Sequence, residues 1–356
     1  MILIILGTRP EIIKMSPIIR ECEKQQKEYF ILHTGQHYSH NMDKIFFEQL
    51  NLPEPKYNLD VGSGTQAVQT AKMMMGIEHT LIKEKPGVVL VQGDTNSVLA
   101  GAIVASKLKI KVGHVEAGLR SYDKSMPEEI NRILTDHCSD YLFPPTEKSK
   151  QILLKEGISE DKILVTGNTV VDAIHQNIKL SENNVLNNLR IKKKEYLLVT
   201  VHRQENVDLI DRFKGILDGI NLIAKEFNLP VIYPIHPRSM NMFKKFGLNT
   251  NENVKLIGPV DYLNFLQLEA SAKMVLTDSG GVQEETCILR VPCVTMRDNT
   301  ERPETIEVGS NILAGTQPLK ILKCARYMKK VENTWQNPFG DGKAGERIVN
   351  NITGVN

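Results

Sequence analysis

A chain of 356 residues is longer than one hydrophobic core sustains, which excludes a single small domain and predicts two. Its 44 Lys and Arg against 42 Asp and Glu leave a formal charge of +2 with no long run of either sign, which excludes a nucleic-acid-binding surface but leaves small anionic ligands open. Five scattered cysteines, none in a C-x-x-C pair, exclude a disulfide framework, and no stretch approaches the ~18 apolar residues of a membrane span, so a soluble cytoplasmic protein without a membrane partner is expected.

Short apolar runs without strict alternation occur at 2–6, 29–34, 88–92, 111–115, 141–143 and 163–166, the pattern of strands buried on both faces of a parallel sheet. Helical patterns lie between them at 11–25, 42–50, 66–83, 96–108, 128–138 and 146–156, and this alternation predicts a doubly wound α/β domain. A second series follows, with strands at 197–201, 231–235, 254–257, 274–277 and 292–295 and helices at 209–226, 240–246, 262–270 and 281–289. The strand, Asp-hydroxyl turn, helix and strand around Gly93-Asp94-Thr95 recur around Asp278-Ser279-Gly280. Residues 181–194, polar and basic, interrupt the series, although the crossover fits equally near Gly167-Asn168. Two Rossmann-like domains, 1–167 and 168–341, are expected to bind their ligand at the carboxyl ends of the strands, in a cleft between them.

Polar residues at strand ends are therefore the candidates for chemistry. After the first strand, Gly7-Thr8-Arg9-Pro10 sets Pro10 in a first helical turn with Arg9 just before it and Lys14 one turn later, which suits a phosphate; a solvated loop arginine is the alternative. Asp94 and Glu116 end apolar strands, where a buried carboxylate is costly and needs a partner or a task. Helix capping, or an ion pair of Glu116 with Arg120, would also account for them. Glu128 and Glu129 open a helix whose dipole favours acids in any case. His33, His37 and His40 have only Asp43 as a nearby carboxylate, which does not make a metal site.

In the second half, His202-Arg203 and His236-Pro237-Arg238 both end strands and suit anions better than metals. Asp278-Ser279-Gly280-Gly281 joins a strand to a helix, a turn that aims backbone N–H groups at one point while two glycines admit a close approach. It is a candidate phosphate cradle, with Glu284 and Glu285 placed for ribose hydroxyls; an ordinary Ser-Gly-Gly helix cap is the alternative. Cations and N–H groups for a diphosphate, with carboxylates for a sugar and for proton transfer, make a nucleotide-sugar site, each charge-assisted bond contributing ~1.5 to 3 kcal/mol.

Taken together, Gly7-Thr8-Arg9-Pro10-Glu11, Gly93-Asp94-Thr95, Gly113-His114-Val115-Glu116-Ala117-Gly118-Leu119-Arg120, Pro127-Glu128-Glu129, His202-Arg203-Gln204-Glu205-Asn206, Asp278-Ser279-Gly280-Gly281, Thr300-Glu301-Arg302-Pro303-Glu304 and Asn337-Pro338-Phe339-Gly340-Asp341-Gly342 resemble the non-hydrolysing UDP-N-acetylglucosamine 2-epimerases, in order and across nearly the whole chain. The resemblance implies the two-domain GT-B fold, with a C-terminal helix at about 342–356 returning to the first domain. It also implies a cytoplasmic homodimer needing no nicotinamide or metal cofactor, and interconversion of UDP-GlcNAc and UDP-ManNAc through elimination of UDP to a 2-acetamidoglucal. Asp94, Glu116, Glu128 and His202 match the catalytic residues, without a division into acid and base. Arg9, Lys14, Ser279, Gly280, Gly281 and Arg302 match the phosphate contacts, Glu285 the ribose contact, and Phe265 and the backbone at Val260 the uracil pocket.

A UDP-sugar glycosyltransferase of the same fold, a hydrolysing epimerase releasing free N-acetylmannosamine, and a non-catalytic UDP-sugar-binding regulator are the rival readings. The chain lacks a basic amphipathic stretch for a membrane-facing acceptor site, and it keeps all three carboxylates and His202. Bacterial members commonly carry a second glutamine in the first-domain loop and two arginines that hold a regulatory UDP-GlcNAc. Here that loop reads Gln36-His37-Tyr38-Ser39, one arginine's place falls near Gly64-Thr65, and Gln204 follows Arg203. Gln36, Arg203 and His236 remain for a second site, and weak or absent activation by UDP-GlcNAc is expected.

Overall fold

Runs of Ile, Leu and Val become strands covered on both faces: all five side chains of β1, Ile2–Leu6, are buried, and so are all five of β4, Val88–Gln92. The computed structural model describes residues 1–35, 40–180 and 184–354, which divide into a unit of 1–176 with 339–356 and a unit of 177–338.

In the first unit, β1, β2 (Tyr29–His33), β3 (Tyr57–Asn58), β4, β5 (Lys111–Val115) and β6 (Tyr141–Phe143) form one parallel sheet in the order β3-β2-β1-β4-β5-β6. In the second, β7 (Leu197–Thr200), β8 (Val231–Pro234), β9 (Val254–Ile257), β10 (Met274–Thr277), β11 (Cys293–Thr295) and β12 (Asn311–Leu313) form another, in the order β12-β11-β10-β7-β8-β9. Numbered from the first strand of each unit, both sheets read 3-2-1-4-5-6. The chain leaves β1 and β4 in opposite directions across the first sheet, and β7 and β10 across the second. Those are the switch points at which open α/β sheets bind ligands.

Two edge strands, β3 and β12, escape the sequence pattern because they are short and partly polar. The expected strand at 163–166 is an extended segment joined to β6 by a single bridge, Leu142 to Ile163. The helix expected from 240 begins earlier, as Pro237–Lys245, because Pro237 takes the first turn and His236 caps it. The closing helix, Ala344–Thr353, packs in the first unit on the helix Arg9–Lys24. Gly345 permits the contact: a Cβ there would lie 3.1 Å from the backbone of Pro17, and its N–H donates to Asp172 Oδ1 at 2.9 Å. Among the described residues no helix is long and apolar enough to cross a membrane.

Candidate functional site

In the first unit the site residues hang from three strand ends. After β1, Glu11 turns back over its own loop and accepts from Gly7 N at 2.7 Å, Thr8 Oγ1 at 3.0 Å and Thr95 Oγ1 at 2.6 Å, the last from the loop after β4. Burial pushes its carboxyl up to about 7 against those hydrogen bonds. Arg9, at the start of the helix Arg9–Lys24, sets its guanidinium 5.8 Å from the Phe46 ring centroid. Lys14 reaches across to Glu116, its Nζ 2.8 and 2.7 Å from the two carboxylate oxygens. The lysine read beside Arg9 as suited to a phosphate thus pairs with the catalytic candidate Glu116; the ion-pair alternative for that carboxylate named Arg120, and the partner seen is Lys14. Gly118, at φ +77°, redirects the chain, and Arg120 pairs with Asp136 at 2.7 Å and Glu156 at 2.6 Å.

Glu116 follows β5 directly and has φ +69°, a left-handed backbone that costs a non-glycine residue of order 1 kcal/mol or more and is concentrated at functional sites. Gln92, the last residue of β4, also donates to its carboxylate. On the neighbouring strand end, Asp94 keeps 31% of its side chain exposed and takes Arg132 Nη2 at 2.5 Å. Of the two glutamates that open the helix Pro127–Cys138, Glu129 is buried and serves structure, accepting from Ser121 N and Tyr122 N at 2.9 Å and from Arg132 Nη1 at 2.8 Å. Glu128 is exposed and makes no hydrogen bond or ion pair among the described residues. Sequence gave no signal separating these neighbours; helix phase does.

In the second unit, Asp278 follows β10 and is wholly buried. It accepts from the backbone N–H of His202 at 3.1 Å and of Arg203 at 3.0 Å and from Asn206 Nδ2 at 3.1 Å, fixing the loop after β7. His202 Nδ1 lies 3.3 Å from Asp278 Oδ1, and the His202 ring centroid is 6.2 Å from that of His236. Desolvation lowers the His202 pKa, Asp278 opposes this, and Arg203 and His236 add to the lowering. A neutral imidazole at neutral pH, oriented by a carboxylate, follows. The role of Asp278 was not visible in the sequence, where it reads as one member of the turn.

Ser279 caps the helix Gly280–Ile288, its Oγ 3.5 Å from Val282 N. Gly280 and Gly281 sit in the first turn, whose N–H groups have no intrahelical acceptor. Neither glycine has a left-handed φ, and a Cβ on either would meet nothing closer than 3.7 Å, so neither packing nor backbone conformation accounts for them. Of the polar residues behind them, Gln283 is buried against Thr300 and Asn311, and buried Glu284 holds Arg302 Nε at 2.8 Å, leaving Glu285 partly exposed. Burial, and after it the neighbouring Glu285, raise the pKa of wholly buried Glu269 well above the ordinary carboxylate range. Val260 and Phe265 pack half-buried on one apolar cluster, with Val275 and Val282. Arg203 lowers the pKa of Glu301, brought to about 2 chiefly by hydrogen bonds from Arg297, which is 4% exposed. Gln36 and the neighbouring His37 lie outside the described residues. No group of three or more His, Cys, Asp or Glu that could hold a metal occurs among the described residues.

The family model described as UDP-N-acetylglucosamine 2-epimerase matches residues 20–353. A UDP-N-acetylglucosamine 2-epimerase of Methanocaldococcus jannaschii is 59% identical over 358 residues, 98% of each chain, and one of Methanococcus maripaludis is 55% identical over 360 residues, 99% of this chain and 98% of that one. The crystal structure of the M. jannaschii enzyme in complex with UDP-GlcNAc and UDP superimposes with a TM-score of 0.88 at 59% identity, covering 99% of both chains. Over its whole length, with the fold and motifs described above, the chain belongs to the UDP-N-acetylglucosamine 2-epimerase family.

Proposed function

We propose that the protein interconverts UDP-N-acetylglucosamine and UDP-N-acetylmannosamine by elimination and re-addition of UDP. Substrate and product differ only in configuration at C2, so the reaction has no net redox change. The C2 hydrogen is not beside a carbonyl, and direct deprotonation is unfavourable. When a base takes that proton as the C1–O bond breaks, the C–H electron pair becomes the C1=C2 bond of a 2-acetamidoglucal and the C1–O pair leaves with UDP. Re-addition of UDP with protonation of C2 from the opposite face completes the inversion. This needs two proton-transfer groups and an anion site that holds UDP throughout.

The observation that carries the reading is the pair of carboxylates, Asp94 and Glu116, ending the adjacent strands β4 and β5, one with a strained backbone and each held by a cation. Exposed Glu128 is a third candidate acid or base. On this reading Lys14 pairs with Glu116, and Arg9, Ser279, Gly280, Gly281 and Arg302 receive the diphosphate. His202 stands by the leaving oxygen, Glu285 takes the ribose, and Val260 with Phe265 takes the uracil. The same reading has the enzyme acting in the cytoplasm with a second copy as its partner. Incubation of the purified protein with UDP-GlcNAc tests it: UDP-ManNAc is expected, whereas UDP with free N-acetylmannosamine would mean hydrolysis. No change would contradict the reaction.

A further inference from the structure

The reaction as drawn assigns nothing to a buried charge cluster beside Asp94. His114, in β5 two residues before Glu116, is 1% exposed, with Nδ1 2.6 Å from Asp136 Oδ1 and Nε2 2.8 Å from the carbonyl oxygen of Gly93. A carbonyl oxygen only accepts, so Nε2 carries a hydrogen. Burial raises the pKa of Asp136, but its partners, Arg120 among them, outweigh it and hold this carboxyl below its ordinary range. Its other oxygen accepts from Gly118 N at 3.2 Å and Arg120 Nη2 at 2.7 Å. An ionised carboxylate donates nothing, so Nδ1 carries a hydrogen too, and the ring is an imidazolium.

The helix Pro127–Cys138 that carries Asp136 holds the loop after β4 by three ties. Gly93 O reaches it through His114 and Asp136, Asp94 O accepts from Asn131 Nδ2 at 2.9 Å, and the Asp94 carboxylate takes Arg132. Gly93 has φ +85°, a conformation that leaves this turn dependent on its ties. We propose that His114 is a positioning residue which, as an imidazolium, pins the Gly93–Asp94 turn to the helix Pro127–Cys138 and so sets the place of the Asp94 carboxylate. The charged groups around it are Asp136 with Arg132 on that helix, Arg120 and Glu156 beyond Asp136, and Glu116 with Lys14 at the end of its own strand.

This inference rests on Asp94 acting in the proposed epimerisation, and its test separates the two. Neutron diffraction from wild-type crystals at pD near 7 is expected to show deuterium on both ring nitrogens of His114; a single deuteron would overturn the inference whatever the activity. His114→Asn keeps a donor toward Asp136 but loses Gly93, and His114→Gln keeps one toward Gly93 but loses the cation. In each, kcat is expected to fall about 10 to 10²-fold with KM for UDP-GlcNAc within about twofold, the scale of a reacting group displaced by about 1 Å. Folded variants with wild-type kcat would sink the positioning role and leave the epimerase reading standing. An inactive wild type would sink the epimerase reading and leave the proton count to be read.

Discussion

The two units share one strand order and solve the same problem at their switch points with different residues. Each must tie the loop after its first strand to the loop after its fourth, and each does so with a buried carboxylate. In the first unit the tie is Glu11, reaching from the helix after β1 to Gly7, Thr8 and Thr95. In the second it is Asp278, reaching from the end of β10 to the N–H groups of His202 and Arg203. Where Glu11 does the tying, the acid after the fourth strand, Asp94, stays partly exposed; where Asp278 does it, that acid is wholly buried and Ser279-Gly280-Gly281 follows it at the helix start. A single register step decides which acid is structural. Gly93 at φ +85° precedes Asp94, while Asp278 follows its strand directly.

The largest effects should separate chemistry from binding. Asp94→Asn, Glu116→Gln and Glu128→Gln are each expected to lower turnover ~10² to 10⁴-fold while UDP affinity stays near wild type, read by turnover assays beside calorimetric titration with UDP. Near-normal turnover in all three would remove the first unit from the chemistry.

The tie in the first unit should respond to pH. Glu11, at about 7 in the folded chain, binds its proton more tightly there than when unfolded. Its contribution is fully present below the unfolded value and is lost as pH rises through about 7, a change of roughly 3 kcal/mol. Denaturant unfolding at pH 5 and pH 8 should show Glu11→Gln losing less stability than wild type between the two; equal losses would contradict this. Asp278→Asn gives up a charge that accepts several buried hydrogen bonds and should destabilise by roughly 2 to 3 kcal/mol near neutral pH. It should also reduce activity through His202, and an unaltered melting temperature would show that the tie carries little.

How much of this was legible in the sequence depended on where the information sits. Both sheets were readable from apolar runs, because strands buried on two faces need no alternation; β3 and β12, edge strands of two and three residues, were not. The strand-end positions of Asp94, Glu116, His202 and Ser279 were readable because apolar runs stop there. Partners were not. That Lys14 holds Glu116, that Glu129 rather than Glu128 is buried, and that Asp278 fixes the loop of His202 depend on helix phase and on contacts between residues far apart in the chain, which strand and helix patterns do not encode.

Smaller effects test the anion side. Arg9→Ala or Ser279→Ala should weaken UDP binding by one charge-assisted contact, ~1.5 to 3 kcal/mol or roughly tenfold to a hundredfold, with kcat at saturation reduced less than by the carboxylate changes. Calorimetry showing unaltered UDP affinity in both would point away from the helix Gly280–Ile288 as the cradle. Smallest is regulation: with Gln204 after Arg203 and no arginine near Gly64-Thr65, the reverse reaction from pure UDP-ManNAc should start without a lag. A strict requirement for added UDP-GlcNAc would show that the second site is intact.

The most direct test of elimination and re-addition is the fate of the hydrogen at C2. Run to equilibrium in heavy water from UDP-GlcNAc, the reaction should leave deuterium at C2 of both UDP-ManNAc and the recovered substrate, seen by NMR and mass spectrometry. Full epimerisation with the original C2 hydrogen retained would contradict the mechanism.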